Sequence, residues 1–193
     1  NVLQYNNLQY TVNEKDGAFY GPKIDIHIKD ALGRSHQCGT IQLDFQMPEK
    51  FDLHYINENN EKERPVVIHR AIYGSIDRFL GILLEHYAGN LPLWLAPIQV
   101  NIIPVNNQVH LDYVTQIKQN LKSKGIRVAV DSSNEKMGYK IRNAQIKKIP
   151  YTIVIGDNEV SNHTLSVRKH GNKSAQTFEA DAFIEKILTE KIS

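Results

Sequence analysis

The sequence predicts two architectures in tandem: an α+β first half built on part of an antiparallel sheet, then an α/β second half with a mixed sheet. Three observations carry this. Lys23 to Lys29 and Ser35 to Phe45 alternate apolar and polar residues on either side of a short turn, the pattern of an antiparallel hairpin. A β-branched run ending on His69 and Arg70 leads into apolar residues at helical spacing. Beyond the proline-bounded connector Leu91 to Pro97, strand and helix patterns alternate as in βαβ units. The expected boundary lies at the end of that connector, giving segments 1–97 and 98–193.

Within the first segment, Gly17-Ala18-Phe19-Tyr20-Gly21-Pro22 allows tight backbone geometry beside two aromatic rings, either the wall of a small-molecule pocket or a packed turn. Asp30-Ala31-Leu32-Gly33-Arg34 supplies the hairpin turn. The polar face of the two strands gathers Lys23, Asp25, His27, Gln42 and Asp44, which is either a solvated face or a binding surface. Residues 46–64 read as an exposed loop or hairpin tip. Val66 to Ile68 is a short strand bearing His69 and Arg70 at its end. The helix after it has Ser75 as N-cap and Gly89 as C-cap, with Ile76, Phe79, Leu80, Leu83, Leu84 and Tyr87 expected against a sheet. Arg78 is set off from that stripe in the first turns, where a guanidinium suits a phosphate.

In the second segment Ile98 to Val105 reads as a strand and Val109 to Lys124 as a helix with Leu111, Val114, Ile117 and Leu121 inward. Gly125 ends it, and Ile126 to Val130 is the next strand. A helix over 135–148 turns Met137, Ile141 and Ala144 inward. Two further strands are expected at Tyr151 to Ile155 and Leu165 to Lys169. Asp181 is expected to cap a last helix holding Phe183, Ile184, Ile187 and Leu188.

Composition sets the class. With 193 residues, 41% hydrophobic and 23% charged, the chain matches a water-soluble globular protein with one or two cores. No apolar run approaches a membrane span and no signal peptide is visible at Asn1. A single cysteine, Cys38, excludes an internal disulfide; it reads as a buried thiol in a strand, and the expected compartment is the cytoplasm. Charge is uneven: residues 1–97 hold 9 Lys/Arg against 12 Asp/Glu, and residues 98–193 hold 14 against 9. The basic excess of the second half, with five Lys/Arg and no acid in 136–148, points toward a polyanion.

Three stretches then carry a resemblance. Gly17-Ala18-Phe19-Tyr20-Gly21-Pro22-Lys23-Ile24-Asp25, Gln37-Cys38-Gly39-Thr40-Ile41-Gln42-Leu43-Asp44-Phe45 and His69-Arg70-Ala71-Ile72-Tyr73-Gly74-Ser75-Ile76-Asp77-Arg78-Phe79 closely resemble threonyl-tRNA synthetase, in the same order. Prolyl, glycyl and histidyl enzymes share the domain plan; the loop before Lys23 and the histidine ahead of motif 3 point to the threonyl family. The resemblance implies the later strands of the class II catalytic sheet and motif 3 in 1–97, and the anticodon-binding domain in 98–193. Motif 1 of the dimer interface and motif 2 with its phosphate-binding arginine are not among these residues. The parent enzyme so implied is a homodimer that activates threonine with ATP and Mg2+ and charges tRNA(Thr).

Roles carried over by that resemblance fall on matching positions. Arg78 corresponds to the motif 3 arginine on ATP. Lys23, Gln42 and Tyr20 correspond to the threonine and adenylate pocket, Gln37 lies on the ribose side, and Ser75 belongs to the substrate and ATP site. His69 corresponds to one of three ligands of a Zn2+ that holds the substrate amino group and hydroxyl. On residue chemistry alone a lone histidine is more often structural or exposed. His54, His86, His110, His163 and His170 lack ligand spacing and are expected at the surface. Asn134, Glu135, Lys136, Lys140, Arg142, Glu159 and Arg168 resemble the anticodon-reading surface. A non-catalytic RNA-binding module derived from such a synthetase is the alternative.

Overall fold

The alternating stretches pair as the sequence predicts. The computed structural model describes residues 2–192 and divides the chain into units 1–86 and 87–193. After one turn of helix, α1 (Val2–Tyr5), the strands β1 (Lys23–Lys29) and β2 (Ser35–Asp44) form an antiparallel hairpin with a register shift between Ile26 and His27. Its turn is built on the Asp30 carboxylate, whose side chain is inaccessible to solvent. Oδ1 accepts the amides of Leu32 (3.0 Å) and Arg34 (2.8 Å), while Oδ2 meets Arg34 Nε and His36 Nε2. Gly33 takes the positive φ of 77° that closes the turn.

Residues 46–64 are more ordered than the expected loop. They form a short helix, α2 (Gln46–Lys50), and a two-stranded ribbon, β3 (Tyr55–Ile56) with β4 (Lys62–Glu63). The Asn57 side chain accepts the amides of Asn59 and Glu61 and thereby makes the ribbon's turn, which is the hairpin tip anticipated from the polar run. Strand β5 (Val67–Ala71) then pairs antiparallel with β2, completing a three-stranded sheet in the order β1-β2-β5.

Helix α3 (Ile76–His86) starts as expected, with Ser75 Oγ facing the Arg78 amide at 3.5 Å, but its burial departs from expectation. Ile76, Leu80 and Leu84 are exposed, Phe79, Leu83 and Tyr87 are half-buried, and the buried residue is Ile82. The apolar residues occupy two adjacent ridges of the helix, and this unit covers only the ridge nearer Ile82.

In the second unit the connector packs with the mixed-sheet domain: Leu93 and Ala96 are buried, and Leu93 belongs to the core cluster. The elements are β6 (Val100–Pro104), α4 (Leu111–Ser123), β7 (Val128–Val130), α5 (Met137–Ile146), β8 (Tyr151–Ile155), α6 (Asp157–Asn162), β9 (Thr164–Lys169), β10 (Gln176–Glu179) and α7 (Ala180–Ile192). Strand order is β10-β9-β8-β6-β7, with β6 parallel to both β7 and β8 and the β8-β9 and β9-β10 pairs antiparallel. This is the mixed sheet of the α/β reading. One face of it, through Val100, Ile102, Ile153, Ile155, Leu165 and Val167, joins Val114, Ile117, Leu121, Phe183, Ile184 and Ile187 in a single core.

Four details differ from the expected pattern. Leu111 is exposed, and Tyr113 joins Val114, Ile117 and Leu121 in the core. Asp181 lies inside the first turn of α7 rather than before it. Strand β10 and helix α6 are additional elements, both too short to leave a clear period in the sequence. His110, expected at the surface, is 2% exposed: Asn106 N–H donates to its Nδ1 (3.1 Å) and its Nε2 meets Asp157 Oδ1 (2.9 Å). Both ring nitrogens are satisfied, which is what permits its burial.

Candidate substrate site and nucleic-acid interface

The polar face of the three-stranded sheet is where the first unit gathers chemistry. Register places Lys23 opposite Gln42 and Gln42 opposite His69, so three strands contribute one residue each to a single row. Residues directly opposite in a ladder share a face. Tyr20 enters the same row from the preceding loop, its hydroxyl donating to Gln42 Oε1 and its ring meeting the His69 imidazole edge-on at 5.6 Å. The loop is pinned alongside β2 by two bonds, Leu43 N–H to Pro22 O and Phe45 N–H to Tyr20 O. Gly21 makes that approach possible, since a Cβ there would lie 2.1 Å from Leu43 O.

Charge in the row is balanced pairwise. Lys23 Nζ lies 2.8 Å from Asp25 Oδ2 and 3.5 Å from Asp16 Oδ1, and the Asp25 hydrogen bond holds the ammonium above its ordinary pKa. Burial pushes the Asp25 carboxyl up, but the Lys23 hydrogen bond, the Thr40 side chain and the Lys23 charge together more than offset it and leave the group below its ordinary value. Gln37 Nε2 donates to Asp25 Oδ1 at 2.7 Å. Lys23, Asp25 and Gln37 are thus one hydrogen-bonded group next to the Tyr20–Gln42–His69 row. Asp16, outside any strand, is the member that alternation could not reveal.

Asp44, nearly inaccessible at 1%, closes the row. Its Oδ1 accepts the amides of Gln46 and Met47 at 2.9 Å each, and its Oδ2 meets His69 Nε2 at 2.8 Å. Burial raises this carboxyl, yet the His69 and backbone hydrogen bonds together hold it below its ordinary value. His69 Nδ1 has no hydrogen-bond partner among the described residues, and 41% of the side chain is accessible. A histidine with one nitrogen held by a buried carboxylate and the other free fits a metal ligand. Among the described residues no group of three or more His, Cys, Asp or Glu could hold a metal ion, so this chain contributes one ligand at most.

Ser75 precedes α3 and Arg78 lies in its first turn, and the neighbouring Gly74 lies against Cys38 and Gln37 of β2. The Arg78 side chain is exposed and has no hydrogen-bond or ion-pair partner among the described residues. Cys38 is buried in β2 at 5% exposure, as expected for a small apolar thiol.

In the second unit, Asn134, Glu135 and Lys136 lie between the end of β7 and the start of α5, and Glu159 lies in α6, just past the end of β8. Since β7, β6 and β8 run parallel, these segments emerge at the same end of the sheet. Arg168 is paired with Thr152 near the start of β8, toward the other end. Lys136 and Arg142 are exposed, and Tyr139 between them, 58% exposed, completes an i, i+3, i+6 series on one side of α5. An exposed aromatic ring among basic residues is the signal that sequence reasoning missed here. Lys140 departs from expectation: it is 4% exposed, with Nζ donating to Asp131 O at 3.3 Å, so its stem fills the space under α5. The Glu159 carboxylate is partly committed to the Gly156 amide at 2.9 Å.

This pairing of a polar sheet face with a separate mixed-sheet domain has a match along almost the whole chain. Residues 2–87 match the family model of the tRNA synthetase class II core domain (G, H, P, S and T), and residues 99–190 that of the anticodon binding domain, which defines a class II aminoacyl-tRNA synthetase. The chain is 60% identical over 189 residues to threonine–tRNA ligase 2 of Bacillus subtilis and 53% identical over 188 residues to the threonine–tRNA ligase of Acetivibrio thermocellus, covering 98% and 97% of this chain. A crystal structure of the RNA binding domain of threonyl-tRNA synthetase from Cryptosporidium parvum superposes with a TM-score of 0.84 at 38% identity, over 99% of this chain and 48% of that one. The chain belongs to the threonyl-tRNA synthetase family. It spans 30% of the length of the Bacillus relative and 29% of the Acetivibrio one. No helix among the described residues is long and apolar enough to cross a membrane.

Proposed function

We propose that these residues are the threonine and adenylate side of a threonine–tRNA ligase active site (1–97) joined to its anticodon-binding domain (98–193). The whole enzyme activates threonine with ATP and Mg2+ and transfers it to tRNA(Thr), working as a cytoplasmic homodimer. The observation that carries this reading is the row formed by Lys23, Gln42, His69 and Tyr20 on one sheet face. Gln42 and Tyr20 orient the amino acid, Lys23 and Gln37 face the adenylate, and Ser75 and Arg78 meet ATP. The Arg78 guanidinium stabilises charge as the phosphoryl oxygens depart. His69 holds a Zn2+ through Nδ1, with its other ligands supplied from outside these residues. Such an ion would supply Lewis-acid anchoring for the amino group and hydroxyl of threonine, a hydroxyl that valine lacks. In the second domain, Asn134, Glu135, Lys136, Arg142, Glu159 and Arg168 meet the anticodon loop.

Grafting the 193 residues into the Bacillus subtilis relative in place of its matching segment tests the assignment. The chimera sustains threonine-dependent pyrophosphate exchange, whereas the 193-residue chain alone does not. Arg78→Ala in the chimera lowers the exchange rate by roughly 10²- to 10³-fold, the loss seen on removing a charge-stabilising donor. Unchanged exchange in that variant would refute the role given to Arg78.

A further inference from the structure

The carboxylate that touches the proposed metal ligand has both of its oxygens committed. Asp44 Oδ1 takes two amides at the start of α2, and Oδ2 takes His69 Nε2 at 2.8 Å. An aspartate whose Oδ1 already accepts two backbone N–H groups is a carboxylate, and its Oδ2 can only accept. The facing nitrogen of His69 must therefore carry the proton, which leaves Nδ1 with its lone pair exposed. Rotation of the ring is opposed on the other side by the Tyr20 edge at 5.6 Å. The position is also tied to the backbone, because the same aspartate ends β2 and accepts the first two amides of α2.

From this we propose that Asp44 is a positioning residue of the amino-acid site: it fixes His69 as the Nε2–H tautomer and presents Nδ1 as the metal-binding atom. This rests on the reading of His69 as a metal ligand. Asp44 does not itself bind the metal: Oδ1 is filled by the two α2 amides, Oδ2 faces the imidazole, and at 1% exposure the carboxylate is closed to a ligand from outside. Its contribution is to make one nitrogen, in one ring orientation, available before the metal arrives, as carboxylates behind metal-bound histidines do.

The test uses the 193-residue chain labelled with 15N in its histidine rings, with His69 assigned by the signals that His69→Gln removes. At a pH where the ring is neutral, the wild type shows His69 as one tautomer, protonated at Nε2, with a slowly exchanging low-field Nε2 proton. Asp44→Asn keeps a carbonyl oxygen for the α2 amides, so the backbone spectrum survives. It loses the protected proton, because an amide that serves Gln46 and Met47 turns its NH2 toward the ring. Asp44→Ala loses that proton too and additionally speeds exchange of the Gln46 and Met47 amides. A second measurement takes the zinc content of the chimera with the Bacillus subtilis relative, which supplies the ligands outside these residues: His69→Gln lowers it, and Asp44→Asn lowers it less. An Nδ1–H tautomer, or a mixture of the two, in the wild type overturns the positioning role of Asp44. A zinc content of the chimera that is unchanged in His69→Gln overturns instead the metal reading on which the proposal rests.

Discussion

Asp30 shows what a single buried carboxylate does for the three-stranded sheet. Three donors from the turn and one from His36 converge on it, and they hold its pKa far below the usual carboxylate range: the His36 hydrogen bond is the largest cause, opposed by burial and reinforced by Arg34. Asp30→Ala removes these acceptors together, and the melting midpoint of the chain falls by several degrees, about 5 °C for a domain this size. The pH dependence has a definite sign. Because the folded-state pKa is depressed, the contribution is fully present above roughly pH 4, the unfolded value, and is lost as pH falls toward the folded one. Thermal scans at about pH 7 and pH 3 check this: the gap between wild type and variant is wide at the first and narrower at the second. A gap that widens in acid contradicts the assignment. The turn itself is legible in the sequence, since Asp with Gly33 three residues on is turn chemistry; the His36 contact is not, because it depends on strand register. His110 departs from expectation for a related reason. Its partners Asn106 and Asp157 come from before α4 and from α6, and only the fold brings them to one ring.

At the scale of elements, helical period locates the helices but not the width of what each buries. In α4 the expected face runs Leu111, Val114, Ile117, Leu121, and three of these are 3% exposed or less, whereas Leu111 is 45% exposed. A residue in the first turn of a helix can satisfy the period and still overhang the sheet edge. Leu121→Ala, which empties a fully buried site, costs about 2–5 kcal/mol, whereas Leu111→Ala stays within about 0.5 kcal/mol. Denaturant unfolding monitored by far-UV circular dichroism separates the two, and equal losses would mean that Leu111 is packed after all. Helix α3 teaches the same lesson from the other side. Ile76, Leu80 and Leu84 have faultless spacing and are exposed, because apolar period reports what can be buried, not what this unit covers. The hairpin is more legible, for alternation fixes both face and register once one face is polar. What alternation cannot supply is the third strand's offset, and it is the Gln42–His69 pairing that makes a site out of a polar face.

For the molecule as a whole, the uneven charge along the chain acquires a location. The second unit holds the basic excess, but its lysines are not equivalent: Lys140 is buried on Asp131, Lys148 donates to the Ala88 carbonyl, and Lys147 is exposed with no partner among the described residues. Of these three, Lys147 is the one suited to a phosphate. Binding of the chain to an anticodon stem-loop of tRNA(Thr) separates the two kinds of contact. Lys147→Ala weakens binding equally for that RNA and for an anticodon-swapped one, and lowers the slope of log affinity against log salt by roughly 1, as loss of one released counterion requires. Lys148→Ala has a smaller effect on the slope, its ammonium being already committed to backbone. Arg168→Ala costs about 1–3 kcal/mol with the matching anticodon and little with the swapped one, as for a residue reading base edges. Glu159→Gln keeps an oxygen for the Gly156 amide while removing the charge, so it tests base contact without loosening α6. Fluorescence titrations at two salt concentrations against both RNAs decide the matter. Equal losses for the two RNAs in the Arg168 and Glu159 variants would make these residues positioning charges and would move the search for the anticodon reader to the exposed side of α5, where Lys136, Tyr139 and Arg142 stand.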